Sequence, residues 1–274
     1  MSAAEAYRAR VEAVATQQRR LAEAEGPSWD RMAASFRLDP HREVDRNLAA
    51  LAALIEPGDA VVDVGGGAGR VCLPLALRCR EVINIDPSPG MCEQFEASAR
   101  EAAIENARAV CAGWEEAKGV SGDVVLAFNV TYFVAEIVPF VAKLAAAARR
   151  RVVIGAWSVP PPNRDAALFE TMMGEPQTLY PGHTELLPVL WEMGILPDVR
   201  VLPEAFAGRG GGGATRAEAI DASIAQFRPR DEEAARQRLE AAFDTLFAET
   251  PQGFRPALRP DTREMLITWE TAVG

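Results

Sequence analysis

The residues best suited to chemistry by type and spacing lie in Val61-Val62-Asp63-Val64-Gly65-Gly66-Gly67-Ala68-Gly69-Arg70. A short apolar run ends in an acid, and glycines follow at alternate positions, Gly65, Gly67 and Gly69. Glycine at such positions lets the backbone turn with positive φ and lets a ligand come closer than a side chain would allow. The pattern predicts a strand-to-helix turn that holds a nucleotide-type cofactor. A dinucleotide fingerprint asks for G-x-G-x-x-G, and Gly65 and Gly67 match its start, but Arg70 occupies the third glycine position and weakens an NAD reading. Read from the acid, the pattern is Asp63-x-Gly65-x-Gly67-x-Gly69. The next apolar run, Val82-Ile83-Asn84-Ile85-Asp86, ends in a second acid about where a ribose-binding carboxylate belongs. Two acids flanking a glycine loop suit a positively charged, ribose-bearing ligand.

The elements that must position these residues follow from periodicity and punctuation. Ala3 to about Ala24 has good helix propensity and is stopped by Gly26-Pro27. A second helix is predicted from His41 to Ile55, where Val44, Leu48, Leu51 and Ile55 form one apolar stripe before the turn Pro57-Gly58-Asp59. Between them, Trp29 could close over a ligand or anchor a loop onto the core. Strands are predicted at Ala60 to Val64, Val82 to Asp86, Ala107 to Cys111, Asp123 to Asn129 and Arg151 to Trp157. Helices are predicted at Arg70 to Leu77, Met91 to Ala103 and Val134 to Ala148. This alternation predicts an α/β fold, a mostly parallel sheet with helices on both faces. Beyond Trp157 the alternation breaks down at Pro160-Pro161-Pro162. A helix capped by Thr184 and stopped by Gly194, a strand from Pro197 to Leu202, a flexible loop at Gly210 to Gly213, two amphipathic helices between Thr215 and Glu249, and a last strand from Met265 to Trp269 complete the reading. Residues 1–56 are expected to form an N-terminal helical cap. Residues 57–274 then form the cofactor-binding domain, with a substrate-side insertion around 158–250. Within it Pro160 to Gly213, which carries Met172, Met173, Tyr180 and His183 and ends in four glycines, is expected to form acceptor walls and a gate that moves near Gly208 to Ala214.

Bulk properties narrow the function class. The chain has 274 residues, enough for a sizeable core. No apolar run is long enough for a membrane span and the start carries no secretory pattern, so a cytoplasmic protein is expected. Cys72, Cys79, Cys92 and Cys111 lack metal-ligand spacing and read as buried reduced thiols, with no metal expected. A formal charge of −10, with Lys118 and Lys143 as the two lysines, argues against nucleic acid and for a small molecule as partner. Oligomeric state stays open, a homodimer included.

The glycine loop and the two strand-end acids resemble the motifs of the class I S-adenosylmethionine-dependent methyltransferases, from roughly Pro57 to Trp157. The resemblance implies a Rossmann-like seven-stranded sheet of order 3-2-1-4-5-7-6 with helical additions, and S-adenosyl-L-methionine as cofactor. It implies that Gly65, Gly66, Gly67 and Gly69 with Asp63 hold the amino-acid portion and that Asp86 accepts the ribose hydroxyls. Pro87, Ser88 and Met91 would follow the family's turn toward the adenine, Gly113, Trp114 and Glu115 its adenine-edge segment, and Asn129 and Val130 the strand end facing the methyl group. Specialised amino-methyltransferases carry N/D-P-P-Y/F/W there; Asn129-Val130-Thr131-Tyr132 keeps the ends without the prolines, which argues against DNA adenine or glutamine-amide methylation. In-line methyl transfer needs no universal catalytic residue. Tyr132 and His183 are the candidates if the acceptor must lose a proton. The competing readings are an NAD-dependent oxidoreductase and a non-catalytic S-adenosylmethionine-binding protein.

Overall fold

The runs Val124–Ala127 and Val152–Ala156 are apolar at every position, a pattern that fits strands covered on both faces. Runs 60–64 and 82–85 are nearly so, interrupted by Asp63 and Asn84. In the computed structural model of the chain, which describes residues 1–23, 29–205 and 212–271, these runs are the central strands. The chain begins with α1 (Ala3–Leu21), α2 (Trp29–Met32) and α3 (Arg46–Ala52). The alternating part is β1 (Ala60–Val64), α4 (Cys72–Ala76), β2 (Glu81–Asp86), α5 (Pro89–Glu101), β3 (Ala107–Cys111), β4 (Gly122–Phe128), α6 (Ile137–Ala147) and β5 (Ala148–Trp157). Then come α7 (Ala166–Met173), α8 (His183–Glu192), β6 (Asp198–Ala205), α9 (Arg216–Phe227), α10 (Glu232–Ala241), α11 (Phe243–Leu246), the hairpin β7 (Phe247–Thr250) and β8 (Gly253–Pro256), and β9 (Arg263–Glu270).

The main sheet has seven strands in the order β3-β2-β1-β4-β5-β9-β6. Strands β1 to β5 run parallel, and β9 is antiparallel to both of its neighbours. This is the expected 3-2-1-4-5-7-6 arrangement, with the unforeseen hairpin raising the number of the last strand. Helices α1, α6 and α8 cover one face, where Tyr7, Val14, Val141, Leu144, Leu186 and Leu190 share a core with Val62, Val125, Ile154 and Ile267. Leu48, Leu51, Leu73 and Phe95 from α3, α4 and α5 cover the other face over Val61, Val82, Val124 and Leu266. Burial of each such side chain is worth about 1.5–3 kcal/mol, so the two faces hold the strand ends in place.

Several boundaries differ from the sequence expectation for identifiable reasons. The second helix starts at Arg46 because Asp45 caps it, its carboxylate accepting from Leu48 N at 2.7 Å. Helix α8 begins at His183, and Glu185 reaches back to Gly182 N, so Thr184 lies inside the helix. The end of the second amphipathic stretch folds as β7, pairing with β8. Met172 is fully buried in a separate cluster with Ile220, Leu239 and Phe243 from α9 to α11, and so does not line an acceptor pocket. The expected glycine gate lies partly outside the described residues; Gly213, within them, exchanges two backbone hydrogen bonds with Phe254. Cys111 is exposed, whereas the other three thiols are buried.

Candidate cofactor and acceptor site

The chain runs β1, β2, β3 toward one edge and then returns to place β4 beside β1, so a crevice opens at the carboxyl ends of β1 and β4. The glycine loop leaves β1 there. Gly65, Gly67 and Gly69 have φ of +70°, +56° and +83°. A Cβ on Gly65 would stand 2.5 Å from Val130 Cγ2, so the loop lies directly against the end of β4. On Gly66 a Cβ would meet Asn84 Oδ1 at 2.2 Å and Asp63 Oδ2 at 2.4 Å, which places those two oxygens under the loop.

Asp63 has no solvent exposure, and neither carboxylate oxygen has a hydrogen-bond partner among the described residues. Burial pushes its carboxyl up to about 6, against a smaller opposing pull from the Cys72 thiol beside it. Its register partner on β2 is Asn84, whose Nδ2 donates to Gly67 O at 2.9 Å and whose Oδ1 is likewise buried without a donor. The Gly67 carbonyl fixes that amide's orientation, so two acceptors are left facing the same space. Sequence reasoning passed over Asn84; the signal was an amide inside an otherwise apolar run.

Asp86 ends β2. Its Oδ2 accepts from Gly67 N at 3.0 Å and its Oδ1 from Ser88 N at 2.9 Å, which leaves each oxygen a further lone pair. Burial raises its carboxyl, and the two amides act in the opposite direction. Ser88 caps α5 through Met91 N and is buried, whereas Pro87 is exposed. Met91 packs with Ala33, Ala68 and Phe36, its sulfur 3.4 Å from a Cβ on Gly67, so it forms part of a small core beneath the loop. Beyond β3, Glu115 is exposed and Gly113 half-buried. Trp114 is 5% exposed with Lys143 Nζ 4.6 Å over its ring.

At the end of β4, Asn129 takes φ +61°, a left-handed conformation that asparagine tolerates better than most residues. Tyr132 is 1% exposed; its hydroxyl donates to Asn129 Oδ1 at 3.2 Å and accepts from Trp157 N at 2.6 Å. Burial raises its pKa further from neutrality. Tyr132 therefore braces the ends of β4 and β5 against each other and is a poor proton acceptor. His183 starts α8, its ring half-buried with Nδ1 lacking a partner, and burial lowers its pKa, favouring the neutral ring. Trp157, at the end of β5, carries the Arg164 guanidinium 4.8 Å over its ring, and Glu264, opposite it in the ladder, accepts from Asn47.

The N-terminal segment crosses this crevice. Asp30 Oδ1 accepts from Ser88 Oγ at 2.6 Å and from Gly90 N at 2.9 Å, beside Asp86. The neighbouring Trp29 ring packs edge-on at 5.8 Å against Phe133, beyond the end of β4, and Phe133 packs against Tyr180 at 5.2 Å. A strap thus joins the β2 side to the β4 side. Tyr7 of α1 fixes the same region by donating to Thr131 O at 2.7 Å. The signal for Trp29 was visible in the sequence; that for Asp30 was not.

The geometry suits an adenosyl amino acid: buried unpaired carboxylate oxygens beside a loop with no side chains, and a second carboxylate with free lone pairs one strand away. Residues 61–151 match the family model described as a methyltransferase domain. No curated protein matches the chain. Among solved structures it is similar to the YcgJ protein from Bacillus subtilis, with 17% identity, 83% of this chain and 98% of that one covered, and a TM-score of 0.55. It is also similar to YjhP from E. coli, at 13% identity, coverage of 89% and 100%, and a TM-score of 0.53. A third is an S-adenosylmethionine-dependent methyltransferase from Thiobacillus denitrificans in complex with S-adenosyl-L-homocysteine, at 15% identity, coverage of 89% and 98%, and a TM-score of 0.51. At such identities these structures speak to fold, and the fold they share is the Rossmann-like methyltransferase sheet. Residues 61–151 thus join a match to a methyltransferase domain with a sheet of that fold.

Proposed function

We propose that the protein methylates a small-molecule acceptor in the cytoplasm by in-line displacement. When bound, S-adenosylmethionine supplies a methyl group on a sulfonium. Asp63 accepts from the ammonium of the amino-acid portion, and the loop Gly65, Gly66, Gly67 and Gly69 leaves room for it. The observation that carries this reading is the pair of buried, unpartnered Asp63 oxygens at the switch point. Asp86 holds the ribose hydroxyls with the lone pairs its two amide bonds leave free. Pro87, Ser88, Met91, Gly113, Trp114 and Glu115 form the adenine side, Met91 and Trp114 acting as packed walls beneath it, and Asn129 and Val130 face the methyl end. Residues 1–56 close over the cofactor through Trp29 and Asp30, and the insertion around 158–250 borders the acceptor.

The acceptor side, where Phe133, Trp157 and Tyr180 lie, excludes water and orients the nucleophile, which is where the rate of such a displacement is gained. His183, held neutral, is better placed by its proton state than Tyr132 to take a proton if the acceptor must lose one. The unpaired cysteines and the net charge of −10 support a reducing compartment and a partner other than nucleic acid. No helix among the described residues is long and apolar enough to cross a membrane. Scanning calorimetry with S-adenosylmethionine, S-adenosylhomocysteine and NAD tests the cofactor site: both sulfur compounds raise the melting temperature and NAD does not. Incubation of cell extract with methyl-labelled cofactor tests the acceptor class, and label recovered in nucleic acid or protein instead of the low-mass fraction overturns it.

A further inference from the structure

Strand β6 is one edge of the main sheet, and among the described residues its outer side pairs with no strand. Asp198, Val199, Arg200 and Val201 are all exposed although they pair with Thr268, Ile267, Leu266 and Met265 of β9. Val199 lies opposite Ile267, on the face that α8 covers, and is 43% exposed; Val201, on the same face, is 60% exposed. Trp191 in the last turn of α8 is 55% exposed and Leu196 in the following turn 81%. Monomeric proteins blunt such edges with proline, bulges or inward charges. Here Pro203 and a register shift between Val201 and Ala205 protect the second half of β6 and leave the first half open.

We propose that β6 is a docking edge for a second copy of this chain, the two β6 strands pairing antiparallel about a two-fold axis at Val199. Residues directly opposite in such a pair share a face, so the axis can fall only on a residue or repeat in steps that keep that parity. Centred on Val199, Asp198 of each copy stands opposite Arg200 of the other, giving two unlike-charge pairs, and valine meets valine on the axis. Centred on Arg200, two arginines oppose each other and Asp198 faces the buried Leu202; centred on Asp198, two acids oppose each other. Like charges directly opposite are destabilising, so the first register is selected. Neither Asp198 nor Arg200 has an ion-pair partner among the described residues. The two copies each carry −10, but screening over about 8 Å at physiological ionic strength leaves the local pairs to set the register. The result is one continuous sheet through both subunits, with the exposed valines covered.

Sedimentation equilibrium of the full chain up to ~100 µM, suited to an edge-sized interface, is expected to show reversible dimers. Asp198→Arg or Arg200→Asp weakens association at least about tenfold, and the double reversal restores it, as expected when unlike pairs are replaced by like ones and then re-formed. In a Cys111→Ser background, Val199→Cys cross-links on treatment with oxidised glutathione. Two thiols give up two protons and two electrons, forming one disulfide, and the oxidant is reduced to two glutathione thiols. Directly opposite Cα atoms at about 4.5–5.5 Å allow this bond. Val201→Cys, some 13 Å from its equivalent along the strands, does not cross-link. A chain that stays monomeric, a dimer insensitive to both reversals, or equal cross-linking at 199 and 201 overturns the proposal.

Discussion

Replacing Asp63 with asparagine is expected to stabilise the cofactor-free protein and to weaken cofactor binding. Burial moves this carboxyl from 3.8 to about 6, so ionisation at neutral pH costs the folded state ~3 kcal/mol relative to the unfolded chain. The folded state keeps the proton where the unfolded chain has lost it. The cost is therefore absent below pH 3.8, grows as pH rises, and is complete above about 6. Asparagine keeps the shape and removes the charge, and its amide faces the buried, donor-free Asn84 Oδ1, turning two opposed acceptors into a donor and an acceptor. Urea denaturation should show a gain of about 1–3 kcal/mol at pH 7.5 and a smaller one at pH 5, with an unchanged slope. Calorimetry with S-adenosylhomocysteine should show binding weaker by ~1.5–3 kcal/mol, the worth of hydrogen bonds to a charged acceptor. The parent's affinity should fall below pH ~6 as Asp63 takes a proton, and the variant's should not. A variant less stable than the parent at pH 7.5, or one that binds equally well, refutes the assignment.

Asp86→Ala should weaken S-adenosylhomocysteine binding by about 1.5–3 kcal/mol in calorimetry, with an unchanged far-ultraviolet circular dichroism spectrum. Tyr132→Phe leaves the Trp157 amide and Asn129 Oδ1 without their partner and should cost ~1–3 kcal/mol of stability in urea, while cofactor affinity holds; a loss of affinity with no loss of stability would return Tyr132 to the chemistry. Asp30→Ala removes the strap's hold on Ser88 and Gly90, and stopped-flow fluorescence from Trp29 should report faster dissociation of S-adenosylhomocysteine; an unchanged rate would mean that the strap does not gate the site.

The parallel sheet was legible because its strands are short, apolar and punctuated by the glycine loop and strand-end acids. Residues Ala60–Val64 and Ala107–Cys111 fold as strands with the bounds read from the sequence. The region after Trp157 was less legible. Helices α7, α9, α10 and α11 bury their faces in one another while α8 packs on the sheet, so the pattern announces helices without saying what they cover. Trp114, expected at the adenine edge, is buried against the α6 side, a contact with no signal in the residues around it. Tyr132 looked like a candidate base because it stands at a strand mouth, but its hydroxyl is committed to Asn129 and Trp157, and Trp157 lies 25 residues further on.

What the sequence by itself determined is the chemistry that local order can carry: which residues turn with positive φ, which strands end in acids, and therefore which class of cofactor the loop suits. Those properties depend on neighbours a few positions apart. Tertiary structure alone decided what depends on distant segments meeting. It set Asn84 beside Asp63 across a parallel ladder, brought Asp30 onto Ser88 from 58 residues away, and left β6 at the sheet's edge. Hydrogen bonds and burial between such segments have no periodic signature, because their partners are fixed by the fold and not by spacing along the chain.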